Sequence, residues 1–330
     1  MNTDLKITDS SLLKFFLENK TAIIFALKLI IAGGLLYYLA SSIEYAQILS
    51  ALQNANLYLI LAAFILSVAN IYFQFAKWKL TCGQVLKEAK NSKIFLSLFY
   101  GFSAGIITPL RIGEYFGRAI AFKDKSVLQV TVATLIDKFF PLMIVAFLGS
   151  ISSILFLYLK FEISIYLALS LFIVLFTLFY ILFLLIINER FWDNLLFSRI
   201  KNSKRMNNFF EKLKVLKNLD RTYLLKMSSL SLFFYLSFLI QYVLLVSAFS
   251  HNQNLLEYFW AGNLIMFAKT VIPPISLGEL GIREGASVFF IKQFGETAST
   301  GFNASIFLFF INVLIPALIG MILLLKKNDD

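Results

Sequence analysis

Ionisable side chains stand inside stretches that are otherwise apolar, and they recur in a pattern. Residues 109–118 read PLRIGEYFGR and residues 274–283 read PISLGELGIR. Both fit P-x-x-x-G-E-x-x-x-R, the second 165 residues after the first, which is half the chain. Pro109 corresponds to Pro274, Gly113 to Gly278, Glu114 to Glu279 and Arg118 to Arg283, and Phe102 with Phe267 and Ile107 with Ile272 keep the register upstream. Residues four apart share a helix face, so Glu114 can reach Arg118 and Glu279 can reach Arg283, with Glu284 adjoining. Guanidinium groups grip phosphate through paired donors, and neighbouring carboxylates orient them. The chemistry open to this pattern is anion binding in an apolar setting. The other reading of the same residues is a structural ion pair within each segment.

Further charges join the list. Arg111 faces Ser276 in the repeat alignment and is either a ligand-binding group or a surface anchor. Asp137 and Lys138 lie in mid-run just before Pro141, and adjacent residues point about 100° apart on a helix, so they need not pair with each other. They are candidates for coupling an ion to movement or for pairing with another helix. Lys269 precedes Pro273 by four residues and is a candidate to face a cavity. Lys28 reads as a snorkelling or paired group, and His251 as a loop residue. Trp78, Trp192 and Trp260 fall near run ends, where interfacial aromatic belts account for them. Gly33-Gly34 and the Gly101-xxx-Gly105 spacing read as close helix packing. No Ser/Cys–His arrangement, P-loop or dinucleotide fingerprint is present, so no catalytic residue, metal or cofactor is expected.

The elements that must position these groups follow from composition. Of 330 residues, 59% are apolar, 16% aromatic and only 15% charged, against about 25% charged in soluble domains. One cysteine, Cys82, excludes an internal disulfide, and one histidine excludes the common His/Cys zinc sites. Disorder and a soluble nucleic-acid-binding domain are excluded as well. Long uninterrupted runs predict an all-α polytopic membrane protein rather than a barrel, whose strands would alternate. Six runs reach the roughly 20 residues that a span needs: Thr21–Ala40, Leu57–Ala76, Val127–Ser150, Ile163–Ile187, Leu224–Phe249 and Phe302–Leu325. The first reads as a retained helix rather than a cleaved signal. Two shorter stretches, Ile94–Thr108 and Glu257–Ile272, end in Pro109 and in Pro273-Pro274. These read as broken, re-entrant hairpins, giving six to eight membrane helices.

Lysine and arginine set the expected orientation. Segment 77–93 carries Lys77, Lys79, Lys87, Lys90 and Lys93, and segment 188–226 carries ten basic residues, whereas 41–56 carries none and 151–162 only Lys160. All basic connectors fall on one side only if the two short stretches do not cross. Both termini are then cytoplasmic, and the net charge of +11 is an orientation and lipid-surface signal. Within the basic loop 188–223, Phe209, Leu213, Leu216 and Leu219 have helical spacing and predict an interfacial amphipathic helix. Each half, about 21–150 and 163–325, reads as two spans, a broken hairpin and one span. An odd number of crossings per half inverts the second half relative to the first, a plan recurrent among transporters, in which interrupted segments mark the binding site. Pro109, Pro273 and Pro274 interrupt the helices, and Gly113 and Gly278 permit close approach.

The segment GFSAGIITPLRIGEYFGRAI resembles the first signature of the lysylphosphatidylglycerol synthase transmembrane-region family, also described as the flippase-like domain family. VIPPISLGELGIREGA resembles the second, through Pro274, Gly278, Gly281 and Glu284. The resemblance extends over nearly the whole chain in length and span pattern. It implies a bacterial inner-membrane, multi-pass protein that handles lipids. Five residues follow Leu325, so a stand-alone member without the soluble synthase domain is expected. The functional expectation is a lipid transporter or flippase moving an anionic or isoprenoid-linked lipid between leaflets, with membrane lipids as partners and no nucleic acid. Arg111, Glu114, Arg118, Lys269, Glu279, Arg283 and Glu284 are its expected substrate-binding groups. The alternatives are a non-catalytic membrane partner of a lipid-modifying or glycosyltransferase system, and an enzyme acting on a lipid-linked substrate with Glu114 or Glu279 as acid or base.

Overall fold

The structure, a computed structural model, describes residues 37, 45–187, 220–250, 252–272 and 280–328. Lys28, Gly33-Gly34, the run Thr21–Ala40 apart from Tyr37, Trp192, the amphipathic pattern 209–219, His251, Pro273, Pro274, Gly278 and Glu279 lie outside them. Among the described residues all regular structure is helical. The helices are α1 (Tyr45–Gln53), α2 (Leu57–Thr81), α3 (Asn91–Ile107), α4 (Gly113–Ala119), α5 (Val127–Lys160) and α6 (Ile165–Ile187). They continue with α7 (Arg221–Phe249), α8 (Leu255–Val271), α9 (Ile282–Gln293), α10 (Ala298–Phe309) and α11 (Ile315–Asn328). A wide turn, Phe310–Leu314, joins α10 to α11, and another, Cys82–Leu86, extends α2.

Among the described residues five helical segments are long and apolar enough to cross a membrane, and they carry the five expected runs that fall there. Their starts follow local chemistry. Asn56, Ser126, Asp220 and Thr297 each cap a helix by accepting a bond from a backbone N–H of the first turn. Helix α7 begins at Arg221 and α10 at Ala298, three and four residues before the expected runs, and two further boundaries differ more. Helix α5 runs on to Lys160, so most of the expected connector 151–162 is helical. Helix α2 runs past Ala76 to Thr81, which places Lys77 inside it rather than in a basic loop. An apolar run ends where the side chains change, but a helix ends where its backbone bonds do. No proline or glycine stops α2, and its extension closes at Lys87 in the left-handed region, φ 52°.

The order long helix, shorter helix, break, short helix, long helix occurs twice, as α2–α5 and as α7–α11. Helices α2 and α7 lie antiparallel side by side. Asn56 N–H donates to Ala248 O (2.9 Å) at one end, Asn70 Nδ2 to Gln241 Oε1 (3.1 Å) midway, and Thr81 bonds the Tyr223 hydroxyl (3.1 Å) at the other. The ends of α2 and α7 that lead into the two hairpins therefore lie at opposite poles of the molecule.

Each hairpin returns to the pole it leaves. At the base of α3–α4, Lys93 Nζ is 3.6 Å from Asp124. At the base of α8–α9, Glu296 accepts from Asn252 Nδ2 (3.2 Å) and from the Tyr258 hydroxyl (2.5 Å). The short arms agree: at 1.5 Å per residue, seven-residue α4 and twelve-residue α9 fall far short of the roughly 30 Å core of a bilayer. Packing is exchanged between halves. Helix α3 lies on α11, and α8 lies on α5.

Close approach explains the small residues. A Cβ on Gly113 would stand 2.2 Å from Ala104 O, and one on Gly117 2.5 Å from Tyr100 O. Gly101 faces the Arg118 side chain and Gly105 faces Glu114, so the Gly101-xxx-Gly105 spacing serves packing within the hairpin. Between the halves, Asn70, Gln241 and Asn312 form a closed amide triad with bonds of 3.0–3.1 Å, and Gln241 Nε2 also donates to Ala63 O at 2.9 Å. Interhelical bonds in apolar surroundings average about 0.6 kcal/mol and reach about 1.7. Gln241→Leu, which strips partners from three groups, is expected to lower stability by about 1–2 kcal/mol. Unfolding in mixed micelles measures this, and an unchanged midpoint would show that the triad does not hold the halves.

Candidate functional site

The first hairpin carries a buried ionic cluster. Arg118, 3% exposed, projects from α4 towards two carboxylates. Its Nη2 donates to Glu114 Oε1 (2.7 Å) on the same helix, and its Nη1 donates to Asp137 Oδ2 (2.9 Å) on α5. Lys138 Nζ donates to the other oxygen of Glu114 at 2.6 Å, and Arg111 reaches that oxygen at 3.4 Å. Lys77 from α2 stands 3.8 Å from Asp137. Asp137 and Lys138 thus serve different partners, as their angular separation on the helix requires.

Two groups in this cluster escape notice in the sequence. Lys77 reads as a loop lysine but is 3% exposed. Trp78 reads as an interfacial belt residue but is fully buried. Its ring carries the Arg118 guanidinium at 4.3 Å, and its Nε1 donates to Ser97 (3.2 Å), whose hydroxyl donates to Arg118 O (2.8 Å). Trp260 likewise turns inward, donating to Ser152 O (3.2 Å) and packing on Phe156 and Phe294. The one signal for Lys77 and Trp78 is position. They follow directly on an apolar run with no breaker between.

The second hairpin has its own pair. Arg283 and Glu284 are both 0% exposed. Arg283 Nη2 donates to Glu284 Oε1 (2.8 Å) and its Nε to Ser305 Oγ (3.1 Å), while Ser305 donates to the same glutamate oxygen (3.1 Å). Glu284 also caps α9, its Oε2 accepting from Gly281 N–H at 2.6 Å. Gly281 has φ +91°, which a residue with a Cβ rarely adopts. The Arg283 guanidinium lies 5.4 Å from the Phe309 ring. The repeat places Glu279 opposite Glu114; within the described residues the partner of Arg283 is its neighbour Glu284.

A bridge of rings connects the first cluster to Lys269 near the end of α8. Lys77 Nζ lies 5.1 Å from the Phe234 ring, Phe234 meets Phe238 edge-on at 6.3 Å, and Lys269 Nζ lies 5.3 Å from Phe238. Both rings belong to α7. Ammonium groups are attracted to aromatic faces by the ring quadrupole.

The arrangement can hold an anion at two depths. Arg118 and Arg283 are buried and bound to their carboxylates, with Arg118 Nε and Arg283 Nη1 making no hydrogen bond among the described residues. Lys138, about one-third exposed at the side chain, and Arg111, about one-quarter exposed, lie in front of Glu114. Lys269 is half-buried at the end of α8. Among the described residues no cluster of His, Cys, Asp and Glu could hold a metal ion. Residues 25–320 match the family model described as the lysylphosphatidylglycerol synthase TM region. No curated relative matches the chain.

Proposed function

The chain belongs to the lysylphosphatidylglycerol synthase TM-region family, a family of lipid-handling membrane proteins, and from that premise we propose that it carries a lipid with an anionic headgroup from one leaflet to the other. The observation that carries the proposal is the pairing of two hairpins, entering from opposite poles, whose cations are linked through Phe234 and Phe238. Interrupted helices that meet inside an inverted pair of halves are the usual site of substrate binding in carriers.

In this reading Arg111, Lys138 and Lys269 meet the headgroup, while Arg118 and Arg283 hold the hairpins that present them. An arriving phosphate competes with Glu114 for Lys138 and Arg111, and Glu114 keeps Arg118. Charge then stays balanced in an apolar interior, where an unpaired ion costs several kcal/mol. Rocking of α3–α4 against α11, and of α8–α9 against α5, alternates access between the poles. Movement is passive or ion-coupled, with Asp137 and Lys138 as the coupling pair.

Orientation follows from where the basic groups gather. Lys87, Lys90, Lys93, Lys123, Lys125 and Lys326 belong to the pole of the first hairpin, and only Lys160 and Lys292 to the other among the described lysines. We assign the lysine-rich pole to the cytoplasmic side of a bacterial inner membrane. A carrier rather than an enzyme is favoured at Glu114, which is bound by cations on both oxygens and is not placed as a general acid beside a nucleophile; Glu279, the other expected acid or base, lies outside the described residues.

The test is reconstitution into vesicles of phosphatidylcholine with a trace of fluorescent phosphatidylglycerol, quenched from outside. Leaflet exchange is expected to exceed empty vesicles, and Lys138→Gln with Lys269→Gln to slow it at least about tenfold, the effect of losing two headgroup contacts of about 1 kcal/mol each. Exchange equal to empty vesicles across anionic and isoprenoid-phosphate probes would overturn the proposal and favour a partner role.

A further inference from the structure

A second basic feature lies apart from the buried clusters. Where α3 begins, α4 ends and α11 ends, the surface forms a half-open cavity of about 590 Å³. Its rim is Lys93, Lys123, Lys326 and Asp124, and its walls include Leu96 and Leu323. The volume is within the range of small-molecule sites.

The cavity exists because α11 rests on α3 backbone to backbone only part of the way. A Cβ on Gly320 would stand 2.1 Å from Phe99 O, and Ser103 donates to Ala317 O at 2.7 Å. One turn further on, the Tyr100 hydroxyl spans to Leu323 O at 3.4 Å, and beyond it the helices part. The gap therefore lies at the seam between the first hairpin and the last helix of the second half.

The rim is unbalanced. Asp124 is shared by Lys93 (3.6 Å) and Lys125 (3.2 Å), and Lys93 also meets Glu88 (3.4 Å). The bond from Lys125 holds the Asp124 carboxyl below the usual carboxylate range. Lys123 and Lys326 have no ion-pair partner among the described residues. An occupant must thus satisfy two exposed cations at one end and apolar walls below them.

We propose that this cavity binds an anionic glycerophospholipid from the leaflet at the lysine-rich pole, its phosphate between Lys123 and Lys326 and its acyl chains along Leu96 and Leu323. A free phosphate uses no apolar wall, and a zwitterionic lipid brings its own cation to an already cationic rim. Ammonium groups are point charges without the planar fork of arginine, so the site reads net charge and not headgroup shape. The site stands whether or not the chain carries lipid between leaflets. If it does, the seam position makes this the place where lipid gathers before the halves move.

The test uses the full chain in nanodiscs of phosphatidylcholine containing a photo-crosslinking phosphatidylglycerol, with labelled peptides mapped. Labelling is expected around residues 96–100 and 320–326. Lys123→Glu with Lys326→Glu, both exposed and outside the ionic clusters, is expected to lower it at least about tenfold. Lys79→Glu, an exposed charge elsewhere on the chain, is expected to leave it unchanged. A photo-crosslinking phosphatidylserine should label as strongly as phosphatidylglycerol. Equal labelling by a phosphatidylcholine probe, or labelling undiminished in the double variant, would overturn the proposal. Loss of labelling in millimolar inorganic phosphate at constant ionic strength would show a free-phosphate site and overturn it too. Leaflet exchange measured separately on the same variants tells failure of this site from failure of the carrier reading.

Discussion

Replacing Glu114 by Gln is expected to destabilise the protein by about 3–5 kcal/mol, and to do so more than Arg118→Met. The reasoning is a count of charges in an apolar space. Four cations that are buried or partly so, Lys77, Arg111, Arg118 and Lys138, surround two carboxylates, Glu114 and Asp137. Removing the Glu114 charge leaves the four cations with Asp137 alone, and glutamine keeps one acceptor oxygen where Glu114 offers two, so either Lys138 or the Nη2 of Arg118 then faces an amide NH2. Removing the Arg118 charge leaves three cations with two carboxylates, and each carboxylate keeps at least one cation within reach. Methionine keeps most of the volume over Trp78, so its cost is chiefly two lost bonds and the cation–ring contact of about 0.5–2 kcal/mol. The double variant should be less unstable than the two single losses summed, by about 1–3 kcal/mol, since Arg118 no longer needs the missing acceptor. Unfolding in mixed micelles, followed by helical content, measures all three. If Arg118→Met is the more damaging, packing against Trp78 and not charge balance holds the cluster.

That cluster also marks how far the sequence could be read. Apolar runs located the five long segments because a span must be apolar over its whole length. The recurring proline, glycine, glutamate and arginine located both hairpins because few residue types tolerate a break. Arg118 with Glu114 was legible from i, i+4 spacing. Lys77 and Trp78 were not, because the helix outlasts the apolar run that announces it. Lys77 is buried while Lys79 is exposed, two positions along the same helix and on opposite sides of it. Glu284 as partner of Arg283 depends on a positive φ at Gly281 and a capping bond, neither of which spacing expresses. Ser305 has no signal at all, and Phe234 and Phe238 are two among 37 phenylalanines. Contacts between distant helices fix these roles, and a pattern within one helix cannot.

Gly113→Ala is the second substitution with a large expected effect, and it tests whether the hairpin, rather than the charges alone, builds the site. Gly113 opens α4 directly against the end of α3. Its N–H donates to Thr108 Oγ1 at 2.6 Å, and Thr108 Oγ1 donates in turn to Ala104 O at 3.0 Å. An alanine Cβ would stand 2.2 Å from Ala104 O and 2.7 Å from Thr108 Oγ1. The first of these is backbone, which cannot rotate away, so the arms must separate. Overpacking of this kind costs about 1–3 kcal/mol or more, and here it also breaks the bond that closes the tip. Separation moves Glu114, the next residue, away from Lys138 and Arg118, so leaflet exchange should fall further than stability does. Gly83→Ala is the matched control. A Cβ there meets nothing within 4 Å, and the residue is helical, so stability should hold or rise by up to about 1 kcal/mol. Thermal midpoints of the two variants, together with their exchange rates in vesicles, decide the matter. A Gly113→Ala protein as stable as Gly83→Ala would mean that α3 and α4 do not meet backbone to backbone, and the hairpin would then not be what fixes Glu114. A stable Gly113→Ala protein that has lost exchange would instead place the motion itself at the hairpin tip, where Leu110 and Arg111 already hold the left-handed conformation at φ 52° and 54°.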